Sequence, residues 1–238
     1  MIDFSGKRVL VTGAASGIGL AQARAFQKAG AEVIGVDLQD LAEPGFQLEL
    51  CDVSDEGAVQ RLSEKLGRVD ILLNTAGVLD DYSDMSSTSF AYWKKILETN
   101  LNSVFLMTQA FLPLMKAEKS GVIINMASVA GLVAGGGGLA YTASKHAIVG
   151  FTKQLALDEA KSGIQVLAIA PGAIDTPMNA KDFLENDGEM AKWVARETPA
   201  GRWAKPEEVA ELSLFLASPA ASYMSGAVVP IDGGWTIK

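Results

Sequence analysis

The stretch RVLVTGAASGIG, residues 8–19, joins a short apolar run to a helical pattern through a turn that contains Gly13, Gly17 and Gly19. Its first five residues are mostly Val, Leu and Thr, which is typical of a buried strand. A strand, a glycine turn and a helix start, in this order, place backbone N–H groups and the positive end of a helix around an anion. Taken alone, this triplet also fits a tight turn with close helix packing. The stretch predicts a pyrophosphate-binding turn, with Ser16 and Ile18 completing the contact.

Short apolar runs alternate with longer segments of helical period along the rest of the chain. Strands are predicted at Arg8–Thr12, Glu32–Asp37, Gln47–Asp52, Ile71–Asn74, Val122–Met126, Gln165–Ala170 and Val228–Ile231. Helices are predicted at Ile18–Ala29, Glu56–Leu66, Phe90–Ala117, Thr142–Ser162 and Pro206–Ala217. Most of the strands are apolar throughout, which indicates helices on both faces. The pattern predicts an α/β fold: one Rossmann-type domain over residues 1–238, a doubly wound parallel sheet of about seven strands.

One connection is shorter than the others. Only eight residues separate Asp37 from the apolar run that begins at Phe46, and they include Pro44 and Gly45. A parallel crossover through a helix needs about a dozen residues or more. We therefore expect a loop or a single turn there.

Composition excludes several classes of function. The 238 residues are 49% hydrophobic and carry a net charge of −8, which allows a sizeable core and opposes a polyanion-binding surface, so no nucleic acid partner is expected. One cysteine, Cys51, and one histidine, His146, supply neither a disulfide nor a His/Cys metal cluster, and no metal is expected. The start of the chain shows no basic segment followed by an apolar stretch, which favours a cytoplasmic protein.

The segment Gly121–Ser144 contains no charged residue over 24 positions, longer than a membrane-spanning helix requires. It also contains six glycines and Asn125, which such a helix tolerates poorly. We interpret it as a buried strand, a glycine loop and a helix start, and expect no membrane partner.

An acidic residue follows the glycine turn at the distance that nucleotide binding requires. Asp37 ends the second strand, 18 residues after Gly19, where a carboxylate accepts hydrogen bonds from the adenine ribose hydroxyls. The same carboxylate repels a 2′-phosphate, and neither Ser16 nor Leu38 supplies a cation for one. The sequence therefore predicts NAD(H) in preference to NADP(H).

The next two strand ends carry further candidate cofactor contacts. Asp52 and Val53 follow the third strand, where the carboxylate can bind the adenine amino group and the valine can pack on the ring. Asn74, Ala76 and Gly77 follow the fourth strand, and the glycine permits a close approach of the backbone. Either pair alone also fits an ordinary strand end.

A candidate catalytic set of three side chains follows the fifth strand. Ser128 precedes Tyr141 by 13 residues, and Lys145 lies four residues after Tyr141, on the same face of a predicted helix. A phenol titrates near pH 10 in water, and a nearby cation stabilises its phenolate. Separately these residues fit a turn cap, a packed tyrosine and a solvated lysine. Together they predict proton transfer at a substrate oxygen that two hydroxyls hold.

With these motifs the chain resembles the short-chain dehydrogenase/reductase family from Gly6 to Gly234. The matching positions are Thr12–Gly19, Asp37, Asp52, Asn74–Gly77, Asn100, Ser128, Tyr141, Lys145 and Pro171–Gly172. The resemblance implies that Tyr141 is the general acid/base and that Ser128 orients the substrate oxygen. It further implies that Lys145 lowers the pKa of Tyr141 and binds the nicotinamide ribose, and that Asn100 holds a water in a proton relay.

The resemblance also implies contacts beyond the catalytic helix. Pro171, Gly172 and Thr176 match the family's contacts to the nicotinamide end of the cofactor, and Asp175–Arg196 resembles a mobile substrate lid, here placed at about residues 175–200. Homotetramers, or dimers, built through the long helices are typical of the family.

The chain departs from the family pattern at two places. Thr75 stands where a second asparagine is common, and Gly135–Gly138 immediately precedes the catalytic helix. The four glycines fit a roomy wall of a substrate pocket and a surface loop equally well.

The predicted activity is hydride transfer between NAD(H) and a small ketone, diol or polyol. The main alternative is a 3-oxoacyl-[acyl-carrier-protein] reductase, which Ser120–Asn125, Pro199–Arg202 and Ile231–Gly234 resemble. Those reductases generally use NADP, and their carrier-docking arginines are replaced by Val122 and Ser162. Hydroxybutyrate dehydrogenases need cations for a carboxylate, for which only Arg202 is a candidate. A catalytically silent NAD-sensing protein is a remote alternative, because all four catalytic positions are retained.

Overall fold

The computed structural model describes residues 2–238 and contains one sheet of seven parallel strands. The strands are β1 Arg8–Thr12, β2 Glu32–Asp37, β3 Gln47–Leu50, β4 Ile71–Asn74, β5 Gly121–Met126, β6 Ile164–Pro171 and β7 Val228–Ile231. Their order in the sheet is β3-β2-β1-β4-β5-β6-β7, and every neighbouring pair is parallel. The strand order reverses between β1 and β4. In such sheets ligands bind beyond the carboxyl ends of the strands at this point.

Helices cover both faces of the sheet. They are α1 Gly17–Lys28, α2 Glu56–Leu66, α3 Phe90–Leu97, α4 Ser103–Glu118, α5 Leu139–Asp158, α6 Ala180–Leu184, α7 Glu189–Glu197 and α8 Pro206–Ala217. Alternate strand residues pack into two different layers: Val9 and Val11 face α1 and α8, whereas Leu10 faces α2 and α4. Burial on both faces explains why the strands are apolar throughout. The predicted α/β architecture with about seven strands is confirmed.

The predicted helix Thr142–Ser162 spans Leu139–Asp158 in the structure, and two other predicted elements differ in kind or extent. The third strand ends at Leu50, so Cys51 follows the strand and is half-buried, and no helix forms between β2 and β3, as expected. The predicted helix Phe90–Ala117 is wrong as one continuous element, because a π-helical turn at Glu98–Asn102 separates α3 from α4. Such a turn adds a residue to the helical repeat and changes the direction of a side chain, and these turns are frequent at functional sites.

The uncharged segment divides as predicted into β5, a glycine loop and the start of α5. Across residues 2–238, none of the helices combines the length and the apolar character needed to cross a lipid bilayer.

Candidate active site

A cavity of about 780 Å³ lies at the carboxyl ends of the strands and includes the point where the strand order reverses. It is called the central cavity below. It extends from Asp37 and Asp52 at one side to Trp193 and Trp235 at the other. The predicted site residues that line it are Gly13, Ser16, Gly17, Ile18, Gly19, Asp37, Asp52, Val53, Ala76, Gly77, Ser128, Tyr141, Lys145, Pro171, Gly172 and Thr176. Asn74 and Asn100 are absent from this lining.

The glycine turn after β1 requires its glycines for steric reasons. Gly13 has φ +71°, and a Cβ there would lie 3.0 Å from the Cα of Ala76. A Cβ at Gly19 would lie 2.1 Å from the carbonyl oxygen of Gly13, a contact that no side chain can make. Within residues 2–238, no side chain caps the N-terminus of α1, although Ser16 occupies the cap position. The backbone N–H groups of that first turn therefore face the cavity as an anion site.

The Asp37 carboxylate stabilises this turn by hydrogen bonds and keeps acceptor positions for a ligand. One of its carboxylate oxygens accepts the Ala15 N–H at 2.9 Å and the other accepts the Gln39 N–H at 2.9 Å. A carboxylate has about four acceptor positions, so each oxygen retains a position for a ribose hydroxyl. Among the described residues that line the cavity, the cations are Lys95 and Lys145, on α3 and α5, and neither belongs to the turn around Asp37.

The residues after β3 and β4 divide between cavity and core. Asp52 lines the cavity and accepts the Ser54 N–H at 2.9 Å, and Val53 lines it next to Asp52. Asn74 instead points into the core, where its amide donates to the Asn125 Oδ1 at 2.9 Å. The amide nitrogen thus links β4 to β5, while the Asn74 Oδ1 is buried without a hydrogen-bond partner among the described residues.

The structure explains the departure at Thr75. Its hydroxyl donates to the Gln22 Oε1 at 2.6 Å, and the Gln22 amide donates to the Ser213 hydroxyl at 2.8 Å. This chain of buried hydrogen bonds ties the end of β4 to α1 and α8. Threonine therefore satisfies the polar groups behind the glycine turn.

Ser128, Tyr141 and Lys145 come together at the end of β5 and the start of α5, and all three are buried. The Lys145 ammonium donates to the Met126 carbonyl at 2.8 Å and lies 5.4 Å from the centre of the Tyr141 ring. Burial raises the pKa of Tyr141 to about 12, and the neighbouring Ser128 hydroxyl opposes that rise. Burial lowers the pKa of Lys145 to about 8, because an ammonium loses hydration there. The three side chains form a buried group suited to proton transfer.

Asn100 lies in the π-helical turn, behind the cavity. Its Oδ1 accepts the Val78 N–H at 2.8 Å, and its Nδ2 donates to the Val78 carbonyl at 2.9 Å. A Cβ at Gly77 would lie 3.2 Å from the Asn100 Oδ1 and 3.6 Å from the Lys145 Nζ. Glycine at this position keeps the space between the asparagine and the lysine clear.

The four-glycine segment serves two purposes. Gly135 and Gly136 line the central cavity. Gly137 and Gly138 pack tightly instead, since a Cβ at Gly137 would lie 2.4 Å from the Tyr141 Cδ1. The interpretation as a cavity wall therefore fits the first half of the segment, whereas the second half packs closely against Tyr141 and Asp80, which neither interpretation predicted.

The predicted lid forms two short helices, α6 and α7, at the mouth of the cavity. Met178, Asp182, Met190 and Trp193 from this segment line the cavity. Two aromatic pairs attach the segment to the rest of the chain: Phe183 with Trp203, at 4.8 Å between ring centres, and Trp193 with Trp235, at 6.4 Å.

Sequence reasoning missed several residues at this end of the cavity, namely Leu79, Tyr82, Asp80 behind them, Trp203 and Trp235. Trp235 lines the cavity and packs against Trp193 of the lid segment. Trp203 and Trp235 directly follow the stretches Pro199–Arg202 and Ile231–Gly234, but no motif assigns them to the site, and only their size and apolar character marked them as residues that need a partner.

The residues present fit a dinucleotide. The glycine turn and the open N-terminus of α1 suit a pyrophosphate, Asp37 and Asp52 lie at one end of the cavity, and the Tyr141 group lies at the other. The carboxyl edge of the sheet joins these ends into one continuous cavity.

Comparisons with known proteins agree with this geometry. A family model described as "Enoyl-(Acyl carrier protein) reductase" matches residues 13–236. The chain is similar to 3beta-hydroxysteroid dehydrogenase 2 of Eggerthella lenta, with 38% identity over 98% of this chain and 95% of the relative. It is also similar to the 3-oxoacyl-[acyl-carrier-protein] reductase FabG of Thermotoga maritima, with 39% identity over 98% of each chain.

A solved structure shows the same likeness in three dimensions. The crystal structure of a candidate NAD(P)-dependent gluconate 5-dehydrogenase from Beutenbergia cavernae, with bound NADP at low occupancy, has a TM-score of 0.92 and 35% identity. The alignment covers 100% of this chain and 99% of that chain. The family model, the relatives and the solved structure are all named as reductases or dehydrogenases, and the solved structure shares the fold. The chain belongs to the short-chain dehydrogenase/reductase family and is an oxidoreductase that uses an NAD(P) nucleotide.

Proposed function

We propose that the protein transfers hydride between NAD(H) and a small neutral ketone or the corresponding secondary alcohol, diol or polyol. The observation that carries this proposal is the buried group of Ser128, Tyr141 and Lys145, which opens into the same cavity as the glycine turn. The nicotinamide supplies the hydride chemistry when bound. The remaining requirements, a held substrate oxygen and a proton donor, fall to side chains of this chain.

In the direction of reduction, the Ser128 and Tyr141 hydroxyls donate hydrogen bonds to the substrate carbonyl oxygen. Tyr141 then gives its proton to that oxygen as the carbonyl carbon gains hydride, and in oxidation the same phenol oxygen accepts the proton. The Lys145 ammonium stabilises the phenolate that remains. The ammonium itself is held in place by its hydrogen bond to the Met126 carbonyl. Asn100 lies on the far side of Gly77, and we propose that it holds the water of a proton relay.

Around this centre we propose that Pro171, Gly172 and Thr176 contact the nicotinamide end and that residues 175–200 act as a lid. A Cβ at Gly17 would lie 3.4 Å from the Thr176 Cβ, so the glycine turn and the base of the lid are in close contact. Closure of the lid over the cavity would exclude water from the reacting atoms.

The preference for NAD(H) is supported by Asp37, although two solved relatives carry NADP. We expect NADH to give the higher kcat/KM, because a 2′-phosphate would meet a carboxylate. An Asp37→Ser variant is expected to lose about 10- to 100-fold in kcat/KM for NADH, the value of hydrogen bonds to a charged group. Initial rates with NADH and NADPH measure the ratio. Asp40→Ser is the matched control, since Asp40 is exposed and lies outside the cavity lining. Wild-type rates that favour NADPH would contradict the preference.

The preference for neutral substrates is supported by the charges of the cavity. The lid side carries Met178, Met190, Trp193 and the acidic Asp182, and of the two lining cations, Lys145 already binds a backbone carbonyl. A substrate carboxylate or phosphate would lack a free arginine there. A panel of neutral ketones, diketones and oxidised polyols, compared with keto acids at equal concentration, measures this selectivity by NADH oxidation at 340 nm.

A second candidate is reduction of a 3-oxoacyl thioester, favoured by the similarity to FabG of Thermotoga maritima. Against it, Val122 and Ser162 replace the arginines that the family resemblance implies for carrier docking, and Lys119 and Lys161 lie beside them. Acetoacetyl thioester in the same panel decides the matter: a strong rate, above all with NADPH, supports the acyl reductase. No turnover with any substrate, together with NADH binding, would favour a silent NAD-binding protein.

We also propose a homotetramer or homodimer and a cytoplasmic location. Apolar side chains on α3, α4 and α5 support association, since Phe90, Phe105 and Leu157 are 73%, 48% and 71% exposed. Light scattering coupled to size-exclusion chromatography measures the number of subunits.

A further inference from the structure

Asp80 is a fully buried carboxylate that the proposed proton transfer does not use. It lies in the loop after β4, and none of the ion pairs among residues 2–238 includes it, whereas the adjacent Asp81 pairs with Lys181 of α6. Burial of a charge without a counter-ion is costly unless dipoles and hydrogen bonds replace the water. The Asp80 carboxylate therefore has to be stabilised by hydrogen bonds or by oriented dipoles.

The partners of Asp80 are backbone N–H groups at the start of the catalytic helix. Its Oδ1 accepts the Gly138 N–H at 2.8 Å, and its Oδ2 accepts the Tyr141 N–H at 2.9 Å. The Ser83 carbonyl of the same loop accepts the Leu139 N–H at 2.9 Å. The loop 80–83 thus satisfies three N–H groups around the first turn of α5, and the positive end of the helix stabilises the carboxylate.

The residues on both sides of these hydrogen bonds leave room for them. The N-cap residue Gly138 supplies no capping side chain, and a Cβ there would lie 2.6 Å from both oxygens of Asp80. Asp81 and Tyr82 have φ of +49° and +55°, so the loop turns sharply directly after the buried carboxylate. Residues in the left-handed region cost free energy, which the surrounding contacts must offset.

We propose that Asp80 is a positioning residue for Tyr141, holding the backbone of that tyrosine in place and setting the electrostatic environment of its phenol. The inference rests on the proposed function, in which Tyr141 exchanges the proton. A carboxylate that accepts the N–H of the catalytic residue itself restrains its Cα directly. A displacement of about 1 Å at a reacting group can lower a rate about 100-fold.

The proposed effect of Asp80 on the electrostatic environment of Tyr141 follows from the groups that face the phenol. The Lys145 ammonium, 5.4 Å from the centre of the ring, is the cation that faces the phenol from α5. Burial is the main cause of the raised pKa of Tyr141, the Ser128 hydroxyl opposes the rise, and Tyr82 and Asp80 in the loop add to it. Removal of the Asp80 charge lowers that pKa. Alcohol oxidation requires the deprotonated phenol, so its acid limb moves to lower pH in a variant without this charge.

The test compares Asp80→Asn with Asp84→Asn in the full chain. Asp84 is an exposed carboxylate of the same loop region, and its side chain accepts hydrogen bonds from Ser86 and Ser87 rather than from α5. We expect Asp80→Asn to lower kcat by about 10- to 100-fold, because an amide nitrogen cannot accept one of the two N–H groups. KM for NADH and the stoichiometry of NADH binding should match those of Asp84→Asn, and the acid limb of oxidation should shift down only in Asp80→Asn.

Equal kcat and equal pH profiles in the two variants would overturn the proposal, as would a loss of activity that a lower NADH-binding stoichiometry explains fully. If Asp80→Asn does not fold, Gly138→Ala perturbs the same contact from the helix side, and a wild-type kcat there overturns the proposal. A pH-jump titration of the Tyr141 phenol, measured as the absorbance difference from Tyr141→Phe, requires no turnover. It should move to lower pH in Asp80→Asn even if every ketone fails and the proposed function is wrong.

Discussion

Replacement of Tyr141 by phenylalanine is expected to lower kcat by about 10²- to 10⁴-fold, the usual contribution of a positioned acid or base. The substitution removes only the hydroxyl, so the buried ring still packs beside Lys145 and against Gly137. The cavity around the glycine turn is unchanged by it. Steady-state turnover of the best ketone, with NADH affinity from fluorescence titration, measures both effects.

Tyr223→Phe is the matched control for this substitution. Tyr223 is fully exposed and lies outside the central cavity, so its variant should retain wild-type kcat. If Tyr141→Phe keeps more than a tenth of the wild-type rate, Tyr141 is not the proton donor. A loss of NADH binding in parallel with turnover would instead show that the phenol supports the cofactor site.

Replacement of Gly19 by alanine is expected to weaken NADH binding by about 10- to 100-fold. The new Cβ would lie 2.1 Å from the Gly13 carbonyl oxygen and 2.6 Å from its carbon, so the backbone of the turn must move. Overpacking of this kind costs about 1–3 kcal/mol, and the displaced atoms carry the N–H groups that suit a pyrophosphate. Fluorescence titration with NADH gives the affinity, and thermal unfolding gives the accompanying loss of stability.

Gly57→Ala, in the first turn of α2, controls for the general effect of a glycine substitution. A Cβ at Gly57 meets the flexible end of the Arg61 side chain at 3.3 Å and lies at an ordinary contact distance of 3.4 Å from the Asp55 carboxylate. Its variant should bind NADH as the wild type does. An unchanged NADH affinity in Gly19→Ala would show that the turn after β1 does not hold the cofactor.

A structural feature of this protein could be predicted from the sequence when neighbouring residues determine it, and could not when contacts between distant segments determine it. The strand from Arg8 to Thr12 and the helix from Glu56 to Leu66 were predicted to the residue, because apolar periodicity and caps are local signals. The single helix Phe90–Ala117 was not, since its periodicity continues through the π-helical turn. The hydrogen bonds of Asn100 with Val78, 22 residues earlier, accompany that turn, and periodicity does not report them.

The same distinction holds within the candidate site. Asp37 and the Tyr141–Lys145 pair could be located from spacing, since strand ends and helix faces place them. Asn74 is a predicted cofactor contact by its place at a strand end, but spacing did not predict that its side-chain amide bonds Asn125 between β4 and β5. Trp235 and Trp203 resembled no site residue at all.

By itself, the sequence determined the parallel sheet, the glycine turn and the chemical type of the catalytic group, because each depends on residues within one element or on two adjacent elements. The tertiary structure alone decided which polar side chains face the cavity, which tryptophans line it, and that Asp80 accepts the N–H of Gly138, 58 residues later, at the N-cap of α5. Such contacts arise when distant segments pack through space, and no local pattern of residues records them.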